Sequence, residues 1–443
     1  MGCSINNTTP AIPISTTRPA IAPGAEAIDP VAVARRLVER FGPGAMPARV
    51  GQLVPGFDKP FFQAGLAGYS DAAMRIIARR HGCPYCVTEA LLDRTILAGG
   101  RGFAKADLGE LHDNVPGGCE DQPLAGQLMG SDPAEMAAAA LKLIEQGRRH
   151  DKDYRRLAYQ GQLSPGEAPS KPEPDTPSRR RAPTVSDGEA KQAQTTFSSI
   201  DVNLACPVKK IARKARGGHW LTQPEGAITI LHAVREAVPA SIPTTLKIRR
   251  GFDDTPEMVE NFWKIYDAAH AMGYAWATIH ARTVTQKYIG PSRWDLLRDI
   301  VTRARIHDPD AIVFGSGDIW QAEDIFRMIQ YTGVTGVSVA RGCIGNPWIF
   351  AQANAMLMGQ RPVLPTLAQQ RQVLEQHFAL ALQVNAHARK PEVYTGRVMR
   401  KFGIRFAQHH PQSEQVRQRF IKVKSLEDWQ GVLKDMYHDN TGV

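Results

Sequence analysis

The sequence predicts an α/β chain: a (β/α)8 TIM barrel followed by a C-terminal helical domain. Three observations carry this. Short apolar runs recur at residues 60–64, 85–89, 124–129, 199–204, 244–248, 276–280, 312–315 and 336–340, eight in all. Most are followed by a stretch with helix start and stop signals. After Trp348 the strand-like runs cease, and from about 364 to 437 the apolar spacing is helical only. Eight alternations of strand and helix mark a closed parallel barrel with its helices outside. An open doubly wound sheet is the alternative, but nothing in it requires a count of eight.

In chain order, residues 1 to about 28 are rich in Thr, Pro and Ala and read as a loose arm. The arm and a leading helix make up residues 1–50, the barrel 51–355 and the helical domain 360–443. The first barrel helix is expected over 70–82. After the third strand, Ser131-Asp132-Pro133-Ala134-Glu135 supplies a cap, a first-turn proline and an early acid, and Gly147 closes that helix. After the fifth, Asp254-Thr255-Pro256 opens a helix that Gly273 ends, and the seventh helix is expected over about 321–333. An insertion interrupts the rhythm at about 148–197. Residues 164–183 within it hold six prolines and the run Arg179-Arg180-Arg181, a composition that cannot bury a core, so the whole insertion is expected to be flexible.

Hydrophobic content of 43% and charged content of 22% over 443 residues suit a soluble globular enzyme. Lys and Arg number 54 against 44 acids, and the formal charge of +10 leans toward a polyanionic partner. Six cysteines (Cys3, Cys83, Cys86, Cys119, Cys206, Cys343) show no secreted framework, so a reduced cytoplasm is expected. Cys83-Pro-Tyr-Cys86 has redox or metal spacing but no second pair, and is read as structural; no metal site is expected. The N-terminus shows no apolar run of the length expected of a signal peptide or membrane span. Met1-Gly2-Cys3 lacks the Ser or Thr that acylation wants at position 6, where Asn6 stands.

The most informative stretch runs over residues 200–218. A strand with Asp201 and Asn203 alternating with apolar residues stops at Cys206-Pro207, because proline cannot donate to a sheet ladder. The following loop carries Lys209, Lys210, Arg213, Lys214 and Arg216 with no acid between them. Such a cationic neighbourhood is expected to lower the thiol pKa and to attract phosphate. Polar or glycine residues also stand at other strand ends: Gln127, Lys247 with Arg249, His280 with Arg282, Gly317-Asp318 and Arg341-Gly342. Barrels of this class build their active sites from such ends, and bind phosphate after strands seven and eight. There Gly315-Ser316-Gly317-Asp318 and Arg341-Gly342-Cys343-Ile344-Gly345 offer backbone N–H groups and a guanidinium. A second basic surface spans 397–426, where Arg397, Arg400, Lys401, Arg405, Arg417, Arg419, Lys422 and Lys424 face the single acid Glu414. Two such surfaces suit one long polyanion.

These motifs resemble the tRNA-dihydrouridine synthase family of FMN-dependent barrels. The likeness runs from about Phe61 to the C-terminus, the insertion excepted. It rests on Ala67-Gly68-Tyr69-Ser70-Asp71, Gln127-Leu128-Met129-Gly130-Ser131-Asp132-Pro133, Asp201-Val202-Asn203-Leu204-Ala205-Cys206-Pro207-Val208-Lys209-Lys210, Lys247-Ile248-Arg249, His280-Ala281-Arg282-Thr283, Gly317-Asp318-Ile319 and the segment from Arg341 to Trp348. The resemblance implies FMN, NADPH as electron source, and reduction of the C5–C6 bond of a uridine in tRNA. It implies that Gln127, Lys247 and His280 contact the flavin, and that Ser316, Gly317, Asp318, Arg341 and Gly342 hold its phosphate. Cys206 would be the general acid, and Asn203 would orient the uracil edge. Lys209, Lys210, Arg213, Lys214, Arg282, Arg400, Lys401 and Arg405 would contact the RNA, with no obligatory protein partner and no membrane. The chain departs from the family pattern at Ala64-Gly65-Leu66, Ala205, Ser316 and Arg405-Phe406. Rival readings are an FMN barrel acting on a free pyrimidine, which has no need of a basic helical domain, and a non-catalytic RNA-binding relative, against which Cys206 and Lys247 argue.

Overall fold

The computed structural model describes residues 21–98, 118–145, 149–160, 197–208 and 217–438. Among these, nine strand segments occur: β1 (Phe61–Gln63), β2 (Cys86–Val87), β3 (Leu91–Leu92), β4 (Leu124–Met129), β5 (Ser199–Leu204), β6 (Thr244–Arg249), β7 (Ala277–His280), β8 (Val313–Ser316) and β9 (Gly336–Val339). Every pairing is parallel, and β1 meets both β2 and β9 while β2 also meets β4, so eight strands close into the expected barrel. The ninth is β3, which pairs with Leu128 and Met129 beyond the short β2 and prolongs the same wall.

Among the described residues, eleven helices accompany the barrel: α1 (Pro30–Phe41), α2 (Ala48–Leu53), α3 (Ala72–Arg80), α4 (Asp93–Ala98), α5 (Pro133–Ile144), α6 (Asp151–Gln160), α7 (Pro224–Ala237), α8 (Pro256–Ala271), α9 (Trp294–His307), α10 (Ala322–Thr332) and α11 (Trp348–Leu357). The end signals act largely as the sequence suggests. Asp132 accepts from the Glu135 amide at 2.9 Å at the start of α5. Gly273 and Gly333 take positive φ at the ends of α8 and α10, the conformation that glycine reaches without steric cost. Gly147 lies outside the described residues. Thr255 stands at the N-cap of α8 without a side-chain bond to the helix, and its own amide donates to Asp253 Oδ1 at 3.0 Å.

Two expectations change. The arm does not run to residue 28, because Ala22 and Ala25 are buried in a turn against the core; residues 1–20 lie outside the described set. Nor is the whole insertion an excursion. Its first turns form α6, which packs on α5 through the buried Tyr154 and Ala158, one helical turn apart. The proline run that suggested flexibility belongs to residues 161–196, outside the described residues.

Inside the barrel, period-two alternation sorts side chains. Ile200, Val202 and Leu204 of β5 join the outer core, leaving Ser199, Asp201 and Asn203 on the other face. The floor is apolar. Phe57, just after α2, stacks on Tyr85 at 4.6 Å and meets Phe62, Phe314 and Trp276 at 5.5–6.0 Å. Above that plug the lining turns polar, beginning with the Tyr85 hydroxyl against Ser199 Oγ at 2.6 Å.

A fully buried ion pair, not legible in the sequence, fastens α3 to the turn at Gly118–Asp121. Arg75 Nε and Nη2 both donate to the Asp121 carboxylate, and Nη1 donates to the Ser70 carbonyl at 2.8 Å. Removing one partner strands a charge, so Asp121→Ala is expected to lower unfolding free energy by about 3–5 kcal/mol in a urea titration. A loss below about 1 kcal/mol, the range of an exposed pair, would mean that water reaches the guanidinium.

Four further helices close the chain: α12 (Leu367–Val384), α13 (Pro391–Phe406), α14 (Ser413–Ile421) and α15 (Leu426–Met436). They share a core of Phe378, Met399, Phe402, Phe420 and Trp429, and α12 lies against α3 of the barrel. A methyl group on Gly345 would meet Arg405 Cβ at 2.6 Å, so the loop after β9 and α13 are in close contact.

Candidate active site at the barrel mouth

Strand register places the inward side chains of β4 to β6 side by side: Gln127 pairs with Asp201, and Asn203 with Lys247. They form one hydrogen-bonded chain. Asn203 Nδ2 donates to Gln127 Oε1 at 2.7 Å, Gln127 Nε2 donates to Asp201 Oδ2 at 2.7 Å, and Thr245 Oγ1 donates to Asp201 Oδ1 at 2.5 Å. Burial dominates the electrostatics here. It pulls the Lys247 ammonium down to about 8, against the opposing pull of Asp201, with Arg249 adding to the decrease. Burial likewise pushes the Asp201 carboxyl upward. The same lysine lines a small cavity with Ala64, Gly65 and Gln127. At Gly65 a methyl group would sit 2.2 Å from the Thr88 carbonyl oxygen and 3.2 Å from Gln127 Oε1. Only a residue without Cβ fits that approach.

Cys206 stands half-buried at the rim, beyond the end of β5. The expected fall in its pKa is not what the structure gives. Burial raises it, outweighing the Val208 backbone bond and the Arg249 cation, so the thiol holds its proton. The residues expected to lower it (Lys209, Lys210, Arg213, Lys214 and Arg216) lie outside the described residues. Arg249 instead braces the loop, Nε donating to the Ala205 carbonyl at 2.8 Å and Nη1 to Thr283 and Lys287 carbonyls at 2.7 and 2.9 Å. Gly217 and Gly218 close on Cys206 from the far side, the Gly218 amide donating to its carbonyl at 2.9 Å.

The other predicted residues gather at the ends of β7, β8 and β9. Register sets Arg249 beside His280 and His280 beside Ser316. Burial, then the cations Arg249, Lys247, Arg282 and Arg341, depress the imidazolium of His280 strongly, so the ring is neutral. Gly317 has φ of +125°, and a methyl there would lie 2.2 Å from Ser292 Oγ and 3.3 Å from His280 Cε1. Asp318, at φ +57°, turns its carboxylate to Arg282 Nη2 (2.6 and 2.8 Å), the Ser292 amide (2.7 Å) and Arg341 Nη2 (3.3 Å). An acid so engaged organises cations rather than meeting an anion itself. Arg282, expected on the RNA, is fully buried beneath these loops and cannot reach a polynucleotide backbone. His280 Nε2, Ser292 Oγ and Arg282 Nη1 are buried with no hydrogen-bond partner among the described residues, a costly state unless a ligand satisfies them. Two glycines that tolerate no Cβ and three unsatisfied donor-capable atoms fit a cofactor with a flat ring and an anionic tail.

Two residues at this mouth escaped the sequence reading. Tyr288 is half exposed, its ring 5.5 Å from the Arg249 guanidinium carbon and 5.0 Å from that of Arg341. Ser292 is the other; neither sits at a strand end, the place where barrel sites are marked in sequence. Arg400, Lys401 and Arg405 all lie on α13 and are partly buried.

Fold and site together define a (β/α)8 barrel with a cation, a protonated thiol and an anion-ready pair of loops at one mouth. Residues 182–440 match the family model described as "Dihydrouridine synthase (Dus)". The chain therefore belongs to the dihydrouridine synthase family. It is similar to "Probable tRNA-dihydrouridine synthase" of Treponema pallidum, 27% identical over 381 residues that span 84% of this chain and 92% of that one. It is also similar to "tRNA-dihydrouridine synthase B" of Pseudomonas putida, 28% identical over 368 residues spanning 83% and 87%. A "Probable tRNA-dihydrouridine synthase" of Mycobacterium tuberculosis is 35% identical over 184 residues, covering 41% of this chain and 45% of that protein.

Proposed function

We propose that this chain reduces the C5–C6 double bond of a uridine in tRNA to dihydrouridine, with FMN as bound cofactor and NADPH as electron source. The observation that supports this most is a proton-holding thiol and a buried lysine at the same mouth, in a member of this family. Bound FMN would supply the hydride chemistry, with NADPH as the electron source and C6 of the uracil as acceptor. The protein supplies the rest. Cys206 gives its Sγ–H proton to C5, completing the addition of two hydrogens, and recovers a proton from water. Lys247 presents its ammonium where negative charge gathers on the reduced ring. Gln127 and Asn203 hold each other beside it, which fixes both amides in one orientation for contact with the ring and the base. Ser316, Gly317, Arg341, Gly342 and His280 take the phosphate, with Asp318 fixing Arg341 and Arg282. A stacked base cannot reach this depth, so the uridine is extruded into the mouth.

The binding surface for the RNA is basic. Arg397, Lys422 and Lys424 are exposed on the helical domain. Changing all three to alanine is expected to weaken tRNA binding and to reduce the slope of log affinity against log salt by up to about 2–3. A slope equal to that of the unaltered protein would remove this face from the contact. Among the described residues no helix is long and apolar enough to cross a membrane. The function itself is tested by incubating the purified, flavin-coloured chain with NADPH and unmodified tRNA transcript. Nucleoside mass spectrometry should then show uridine gaining two hydrogens. Turnover of free uracil or orotate without turnover of tRNA would favour the free-pyrimidine reading.

A further inference from the structure

Lys401 reads in the sequence as one more cation for the RNA. The structure gives it other partners. From α13 its Nζ donates to the carbonyl of Gly68, across the boundary between the helical domain and the barrel. The ammonium lies over the rings of Tyr69 at 5.0 Å and Phe402 at 5.1 Å, and those rings meet edge to face at 5.6 Å. Asp71, which caps α3 by accepting from the Met74 amide at 2.9 Å, also feels the Lys401 charge. A lysine with a carbonyl, two ring faces and a carboxylate around it is tied down.

What it ties down is the loop leaving β1. That loop is a tight turn: the amides of Tyr69 and Ser70 donate to the Leu66 carbonyl at 2.9 and 3.0 Å, and the Leu66 amide donates to Ser70 Oγ at 2.8 Å. Gly68 sits at its tip with φ of +75°. Its other end is Ala64-Gly65, which lines the cavity beside Gln127 and Lys247, with Gly65 against the Thr88 carbonyl. Only Leu66 and Ala67 therefore separate Gly68, which Lys401 grips, from Gly65, where a flat ring would rest. The carbonyl at the turn's exposed tip is satisfied from the other domain.

We propose that Lys401 is a positioning residue: the helical domain uses it to latch the turn at residues 66–70, and flavin affinity depends on that latch. The coupling to flavin rests on the functional reading above; the latch itself does not. The test uses the full chain as unaltered protein, Lys401→Ala, Lys401→Arg and, as control, Lys424→Ala on the exposed face. In flavin-free protein, amide hydrogen exchange over 65–71 should rise in Lys401→Ala and stay unaltered in the Lys424 variant. FMN affinity, read by quenching of flavin fluorescence, should fall ~tenfold in Lys401→Ala, the scale of one charged hydrogen bond. Arginine can bond the same carbonyl and lie on the same ring, so Lys401→Arg should restore both readouts. The salt dependence of tRNA binding should change in Lys424→Ala and not in Lys401→Ala. Unchanged exchange in Lys401→Ala overturns the latch. Raised exchange with unaltered FMN affinity overturns the coupling. Loss of tRNA affinity with a shallower salt slope and intact exchange returns Lys401 to the RNA. If the unaltered protein binds no FMN, the functional reading fails, and the exchange experiment still decides the latch.

Discussion

Replacing Cys206 by alanine is expected to lower dihydrouridine formation on tRNA by about 10²–10⁴-fold, the scale of a lost general acid, while flavin stays bound. The reason lies in where the thiol sits. Its side chain stands at the rim, outside the hydrogen-bonded chain of Asn203, Gln127, Asp201 and Thr245 that shapes the floor of the site. Truncating it removes a proton and little packing. Burial raises the thiol above its ordinary pKa, so at neutral pH it is the acid form that faces the substrate. The sign for pH follows. Activity limited by this proton holds below the raised pKa and falls as pH climbs through it, and in the alanine variant that limb should vanish. Retained activity in Cys206→Ala would put the proton source elsewhere.

Replacing Lys247 by methionine should act on the other half of the reaction. The ammonium is held at about 8 by burial, against Asp201, so near neutral pH it is mostly charged and poorly solvated. A charge in that state is strongly available to an anionic ring, and removing an interaction of this kind typically costs ~10²–10³ in rate. NADPH-driven flavin reduction should slow by that factor. In the unaltered enzyme the reduction rate should decline as pH rises through about 8, where the ammonium loses its proton. The methionine variant should be slow and flat across that window. Stability carries a linked signature. The folded pKa lies below the usual lysine value of about 10.4, so the charged form is penalised in the fold. That penalty is full below about 8 and fades as pH rises toward 10.4. A methionine variant with unaltered reduction kinetics would move the cation's role away from this residue.

Much of the architecture was legible because each strand carries its own punctuation. β5 alternates Ile200, Val202 and Leu204 with Ser199, Asp201 and Asn203, and Pro207 ends it, so both its inward face and its C-terminal end could be read directly. The ends of β6 to β9 were found in the same way. What escaped came from two sources. Some residues act from loops with no periodic marker: Tyr288 and Ser292 reach the mouth from the segment after β7. Others were assigned by residue type, without their tertiary partners. Arg282 and Lys401 carry the charge an RNA contact wants, but one is buried on Asp318 and the other engages the barrel. The Cys206 pKa differs from expectation for a related reason: counting cations in sequence leaves out desolvation, which among the described residues outweighs the one cation acting on the thiol, Arg249. α6 escaped because the proline-rich half of the insertion set the expectation for all of it.

The most direct test separates the two half-reactions in a stopped-flow spectrometer, following flavin colour in the unaltered enzyme and in Cys206→Ala. NADPH should bleach both at the same rate. Addition of tRNA transcript should then restore the oxidised spectrum rapidly in the unaltered enzyme, and more slowly by two orders of magnitude or more in the variant. Equal reoxidation by tRNA in the two proteins would contradict the assignment of Cys206 as the acid and the mechanism built on it.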